Sequence, residues 1–268
     1  MSRIEKRFHE LAKRNEKALV CFLTAGDPTP AVSELLILEV ARAGADIIEV
    51  GIPFSDPLAD GPSIQAASDR ALSAGMNPLA ALDLIRQIRK QSDAPLVLMT
   101  YFNPVQKLGL SRFANEAASS GADGVIMTDL PPEEATDWKA AAESAGLDTI
   151  FLLAPTSTSE RIDRVAKMAA GFVYCVSRTG VTGASNELSH DADDLVNRIR
   201  KATNMPLVVG FGISRPDQVR QITDCSDGAV VGSALVDLIA ARQDKSDLLR
   251  EVHRFVSDLK QATRPGNL

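Results

Sequence analysis

The sequence predicts an α/β protein, a (β/α)8 TIM barrel with an extra N-terminal helix, formed by residues 1–268 as a single domain. Three observations lead there. Eight short, unbroken apolar runs follow one another along the chain, as strands buried on both faces of a parallel sheet require. Stretches with apolar spacings of three and four separate them, and no linker or low-complexity segment breaks the series. A length of 268 residues is ordinary for one such barrel. A doubly wound sheet is the alternative packing of the same units.

The elements can be justified in order. "SRIEKRFHEL" offers Ser2 and Glu5 as a capping box, with Ile4, Phe8 and Leu11 on one helical face. It is expected to close one end of the core. The strand-like runs are "ALVCFLT" (18–24), "DIIEV" (46–50), "PLVLMTY" (95–101), "DGVIMT" (123–128), "DTIFLLA" (148–154), "GFVYCVS" (171–177), "PLVVGF" (206–211) and "DGAVVG" (227–232). After the first comes "AVSELLILEVARAG" (31–44), where Leu35, Leu38 and Ala41 share a face and Gly44 ends the helix. "AGADIIEV", "SGADGVIMT" and "CSDGAVVG" share a wording, a small residue with Gly or Asp just ahead of the strand. Tight helix-to-strand turns need such residues.

Composition excludes several classes. Apolar residues make up 45% and charged residues 24%, with a formal net charge of -6 and no clustered Lys or Arg, so neither nucleic acid nor an anionic membrane is the expected partner. No apolar run is long enough to cross a bilayer, and the start has no signal-peptide core. Cys21, Cys175 and Cys225 are odd in number and lie within or beside apolar sequence. They read as reduced residues of a cytoplasmic protein.

In a barrel of this kind the chemistry sits at the C-terminal ends of the strands. Phe22, Thr24, Glu49, Gly51, Thr100, Tyr101, Asp129, Ala154, Tyr174, Ser177, Gly210 to Gly212, Gly232 and Ser233 fall there. No Lys is among them for a Schiff base. His9, His190 and His253 lie elsewhere, so no metal site is expected. Carboxyls and phenols remain, groups suited to acid–base chemistry. Glu49, in the middle of "IIEVG", either pairs with an Arg, faces solvent at a strand end, or is a working carboxyl whose burial tunes its pKa. Asp56 and Asp60, beside Pro and Gly in "PFSDPLADGP", read equally as turn residues or site residues. Glycines in "SRTGVTGAS" (177–185), "GFGIS" (210–214) and "GSAL" (232–235) suit a phosphate held on backbone N–H groups. The segment 177–190 has the small and polar composition of a lid.

"IEVGIPFSDPLADGP", together with "MTYFNP", "SRTGVTGA", "GFGIS" and "VGSALV", resembles the tryptophan synthase α subunit family from the first helix to the last. The resemblance implies a lyase that splits indole-3-glycerol phosphate into indole and glyceraldehyde 3-phosphate in tryptophan biosynthesis. It makes Glu49 the general acid–base and Asp60 the partner of the indole N–H, with Tyr174 beside Glu49. Phosphate would rest near Gly183, Gly212, Gly232 and Ser233. Phe22, Met99, Tyr101, Thr182 and Phe211 would border the indole pocket or its lid. The segment Ser185 to Leu188 departs from the family wording. The resemblance also implies no cofactor in this chain and a partner β subunit carrying pyridoxal phosphate in an α2β2 complex, with Asp56 meeting that partner. A sugar-phosphate isomerase of related barrel type and a non-catalytic regulatory subunit are the rival readings.

Overall fold

The computed structural model describes residues 1–176, 185–210, 212–243 and 245–265, and the side chains of all of these except 185–191. Parallel strands run in the order β5-β4-β3-β2-β1-β9-β8-β7-β6. They are β1 (Ala18–Thr24), β2 (Ile47–Gly51), β3 (Leu96–Thr100), β4 (Gly124–Met127), β5 (Asp148–Ile150), β6 (Leu152–Leu153), β7 (Val173–Val176), β8 (Leu207–Gly210) and β9 (Gly228–Val231). The two outermost, β5 and β6, are separated only by Phe151. They are halves of one strand. Up to Ile150 it pairs with β4, and from Leu152 with β7, so changing partner at Phe151 closes the ring of eight. The (β/α)8 barrel is therefore present, with the fifth expected strand broken at its middle.

Alternation along each strand divides the apolar residues into two cores. Leu19, Cys21, Ile48, Val50, Leu96 and Leu98 pack outward against the helices. Ala18, Val20, Ile47, Val97, Ile126, Ile150, Phe172, Val208 and Val230 pack inward and meet Ile4, Phe8 and Leu11 of α1 (Arg3–Lys13). The first helix thus plugs the N-terminal end of the barrel, as its sequence indicates. Its capping box is formed, with Ser2 accepting from the Glu5 N–H and Glu5 from the Ser2 N–H. Ser2 also donates to Asp148 at 2.7 Å, and Arg3 to Asp123 at 2.9 Å.

The shared wording ahead of three strands has a further cause. Asp46 accepts the Leu19 N–H, Asp123 the Leu96 N–H and Asp227 the Leu207 N–H, each at 2.8 Å. Each Asp precedes one strand and takes the first free donor of its neighbour, which fixes their relative register. Each is also paired with a cation: Asp46 with Lys260, Asp123 with Arg89, and Asp227 with Arg200. Paired and bonded in this way, a buried carboxylate is tolerated.

Two sequence expectations need correction. Helix α2 (Pro30–Arg42) buries Leu36, Ile37, Leu38 and Val40, whereas Leu35 is 50% exposed. The buried face is set by the strands beneath and by α4 (Pro78–Arg89) and α12 (Leu248–Gln261) on its flanks, so it is wider than one three-residue spacing suggests. The second correction concerns 185–190, which belongs to α9 (Ser185–Arg200) rather than to a loop. "NELSHDADDLV" holds good helix formers, and nothing in it breaks a helix. Among the described residues no helix is long and apolar enough to cross a membrane.

The plug makes a direct prediction. Ile4 is fully buried between α1 and the barrel interior, so Ile4→Ala should lower the unfolding free energy by about 2–5 kcal/mol in urea titration.

Candidate active site

Glu49 shares the inward face of β2 with Ile47, because side chains two residues apart point the same way. It pairs in register with Phe22 on one side and Val97 on the other. The side chain is completely buried, and neither carboxyl oxygen has a hydrogen-bond partner among the described residues. Of the three readings open from the sequence, facing solvent is thus excluded, and among the described residues no Arg pairs with it. Burial alone pushes its pKa up to about 8. At neutral pH this group is predominantly a neutral acid.

The loop after β2 brings the second carboxyl back over the mouth. Turns link Leu58 N–H to Asp56 O and Asp60 N–H to Pro57 O. Gln65 donates to the Asp60 carbonyl at 2.8 Å. Pro62 is the first residue of α3 (Pro62–Ser73), a position in the first turn of a helix that proline fits. Tyr101, just beyond β3, anchors the assembly. Its hydroxyl accepts the Ala59 N–H at 3.0 Å and faces the Asp60 carboxyl, whose pKa it lowers, and its ring lies 5.2 Å from that of Phe54. Burial raises Asp60 to about 6, against the lowering effect of the Tyr101 bond. The two carboxyls therefore differ in protonation near pH 7. Asp56 and Leu58 stand exposed at the crest, Leu58 at 84%.

Phe22, Asp60, Met99 and Tyr101 line one narrow cavity, with Thr24, Gly51, Ile52, Ile64, Ser68, Thr100 and Thr128. Four of the expected site residues are thus brought together. Two glycines shape this region in a way the sequence did not disclose. A Cβ on Gly51 would lie 2.6 Å from Phe22 Cζ, and one on Gly210 would lie 2.7 Å from the Tyr174 hydroxyl. Each glycine leaves room for an aromatic ring. Tyr174 sits on the inward face of β7, and its hydroxyl is pushed well above its usual range by burial, then by Glu49 and Cys175. It does not hydrogen-bond Glu49.

On the other side of the mouth, Gly232 and Ser233 form the start of α11 (Ser233–Arg242), directly after β9. A Cβ on Gly232 would lie 3.5 Å from Phe22 Cβ, which places this helix N-terminus beside the cavity wall. Gly212 has φ +65°, with open space where a Cβ would stand, so the left-handed backbone explains this glycine. Thr182, Gly183 and Phe211 lie outside the described residues. Asp129, also at a strand end, accepts the Phe102 N–H at 2.7 Å at the start of α5 (Phe102–Leu108). Trp138 is buried against Phe113. Ile64 and Ser68, on the first turns of α3, are lining residues that sequence reasoning missed. Their one signal is a position directly after Asp60.

Fold and site together define a (β/α)8-barrel enzyme with its ionisable groups gathered at the C-terminal mouth. The chain belongs to the tryptophan synthase α family: the family described as "Tryptophan synthase alpha chain" matches residues 8–264. It is 51% identical over 267 residues to the tryptophan synthase alpha chain of Geobacter sp. (strain M21), covering 100% of both chains. With that of Geobacter sulfurreducens it shares 53% over 262 residues, or 98% of this chain and 99% of the relative. Among solved structures, tryptophan synthase subunit alpha from Legionella pneumophila superposes with a TM-score of 0.91 at 37% identity, covering 98% of each chain.

The unpartnered Glu49 carboxyl sets a stability test. Folding raises its pKa from 4.5 to about 8, so across that window the folded protein holds a proton that the unfolded chain has released. Stability therefore falls as pH rises through the window, and the loss is complete above about 8. Glu49→Gln should remove this loss. Urea unfolding should show the variant gaining on wild type between pH 5 and pH 9.

Proposed function

We propose that this chain cleaves indole-3-glycerol phosphate to indole and glyceraldehyde 3-phosphate, as a tryptophan synthase α lyase, at the cavity bounded by Phe22, Asp60, Met99 and Tyr101. The observation that carries this reading is the pair of carboxyls held in different protonation states, Glu49 raised to about 8 and Asp60 to about 6. A neutral acid and a carboxylate are what the bond cleavage needs. Glu49 delivers its proton to indole C3, and positive charge appears on the ring nitrogen. Asp60 accepts the indole N–H and stabilises that charge in a site closed to water. The bond from C3 to the glycerol chain then breaks, its electron pair returns to the ring, and the hydroxyl on the departing carbon loses its proton as the aldehyde forms. Glu49, now a carboxylate, takes that proton and is restored. Tyr174 bounds the site on the Glu49 side.

The phosphate end rests on the backbone at the start of α11, near Gly232 and Ser233, and at Gly212. The family resemblance adds Gly183 to the phosphate contacts and Thr182 and Phe211 to the indole side. No metal and no cofactor enters this chain's chemistry in the proposed reading, and the single domain spans residues 1–268. The partner is a β subunit that holds pyridoxal phosphate and joins indole to serine, in a cytoplasmic α2β2 complex. Asp56 and Leu58, exposed on the loop that carries Asp60, suit the α–β contact.

Indole release by the purified chain tests the activity and separates it from a sugar-phosphate isomerase or a non-catalytic subunit. Glu49→Gln should lower that release by roughly 10²-fold or more while the variant still binds substrate. Asp60→Asn should also be severely impaired. Because Glu49 must be protonated and Asp60 ionised, kcat/KM should rise with pH through about 6 and fall through about 8. A rate that keeps rising past pH 9 would remove Glu49 as the acid. Titrating the β subunit should stimulate wild type, and stimulate Asp56→Ala less.

A further inference from the structure

Thr24 ends β1 on the inward face, two residues after Phe22. It is 3% exposed, and its hydroxyl has no hydrogen-bond partner among the described residues. Native proteins keep few such groups, because a buried hydroxyl without a partner loses its water bonds and gains nothing in return. The other threonines of this cavity are satisfied: Thr100 donates to the Tyr101 carbonyl and Thr128 to the Thr100 carbonyl, each at 3.4 Å. Thr24 instead lines the cavity it shares with Asp60, whose free volume is only about 10 Å³. Its two walls are close together.

Asp60 needs further donors. An ionised carboxylate has about four acceptor positions, and among the described residues Tyr101 is the one side chain whose hydrogen bonding lowers its pKa. Burial raises the pKa, so once substrate has excluded water the charge must be held by protein donors. Thr24 is well placed for this. It is β-branched, with few side-chain conformations, and stands on a barrel strand, whereas Asp60 rides on a loop.

We infer that Thr24 is a positioning residue for Asp60: with substrate bound, its hydroxyl donates to the Asp60 carboxylate, which is then held between Tyr101 and Thr24 and turns its remaining lone pairs to the indole N–H. The inference rests on the proposed role of Asp60 as the indole partner. It gives a use to a hydroxyl that has no partner among the described residues.

The test is Thr24→Val, which keeps the shape and removes the hydroxyl, read in three ways. Indole release should fall roughly tenfold or more in kcat, while binding of glycerol phosphate stays unchanged and Thr24→Ser restores most of the rate. The melting temperature of the free chain should not fall, since no bond is lost there. Affinity for a non-cleavable indole alkyl phosphate should drop in Thr24→Val, yet the same substitution should change little in an Asp60→Ala background, because its acceptor is gone. Wild-type kinetics in Thr24→Val would overturn the inference, as would equal affinity losses in both backgrounds. So would a melting temperature lowered alike in Thr24→Val, Ser68→Ala and the double variant, which would show the hydroxyl already bonded to Ser68. An active Asp60→Asn variant would instead remove the underlying role of Asp60, an outcome visible before any Thr24 variant is made.

Discussion

A strand in a closed barrel offers a side chain two directions, inward or toward the helices, and the rest of this structure depends on that restriction. Phe22, Thr24, Glu49, Met99 and Tyr174 all take the inward direction. Below them, the inward side chains of all eight strands and the plug of α1 form a dry floor. Glu49 is consequently fully buried, with no hydrogen-bond partner for its carboxyl among the described residues. Its raised pKa is a property of the barrel interior as much as of the residue. The buried carboxyls at the opposite end, Asp46 and Asp123, face the reverse situation. Backbone N–H groups and cations surround them, and they serve register rather than chemistry.

The same division explains what the sequence discloses. Strand runs were legible because strands buried on both faces must be continuously apolar, and their observed limits fall within one or two residues of those runs. Glu49 stood out because it interrupts such a run. The break at Phe151 was hidden, since "TIFLLA" is apolar throughout and only closure of the ring dictates a change of partner there. Leu35 was misassigned because the buried face is centred on Ser33, Leu36, Ile37 and Val40, which leaves Leu35 on the far side of the helix. Gly51 and Gly210 read as ordinary turn or strand-end glycines. Their purpose depends on aromatic rings that arrive from strands adjacent in space. Thr24 could be placed at a strand end from sequence, but its lack of a partner is a fact of three dimensions.

Tyr101 joins the two halves of the site. It stands just beyond β3, yet it meets the stretch 53–60 at Phe54, Ala59 and Asp60. The exposed crest lies between those contacts. A push on Asp56 or Leu58 is therefore resisted at both sides of the loop, and any displacement reaches the carboxylate through a few covalent bonds. This is a short mechanical route between a surface and a buried reaction centre. It needs no distant relay.

The plug helix has a consequence for how the chain is made. Its cap is tied to Asp148 and Arg3 to Asp123, contacts that span 146 and 120 residues. This helix is thus unable to complete its seat until the segments that carry Asp123 and Asp148 have been made after it. Until then Ile4, Phe8 and Leu11 remain an apolar stripe without a cover, and contacts so distant in sequence form slowly. The stopper is synthesised before the vessel it closes.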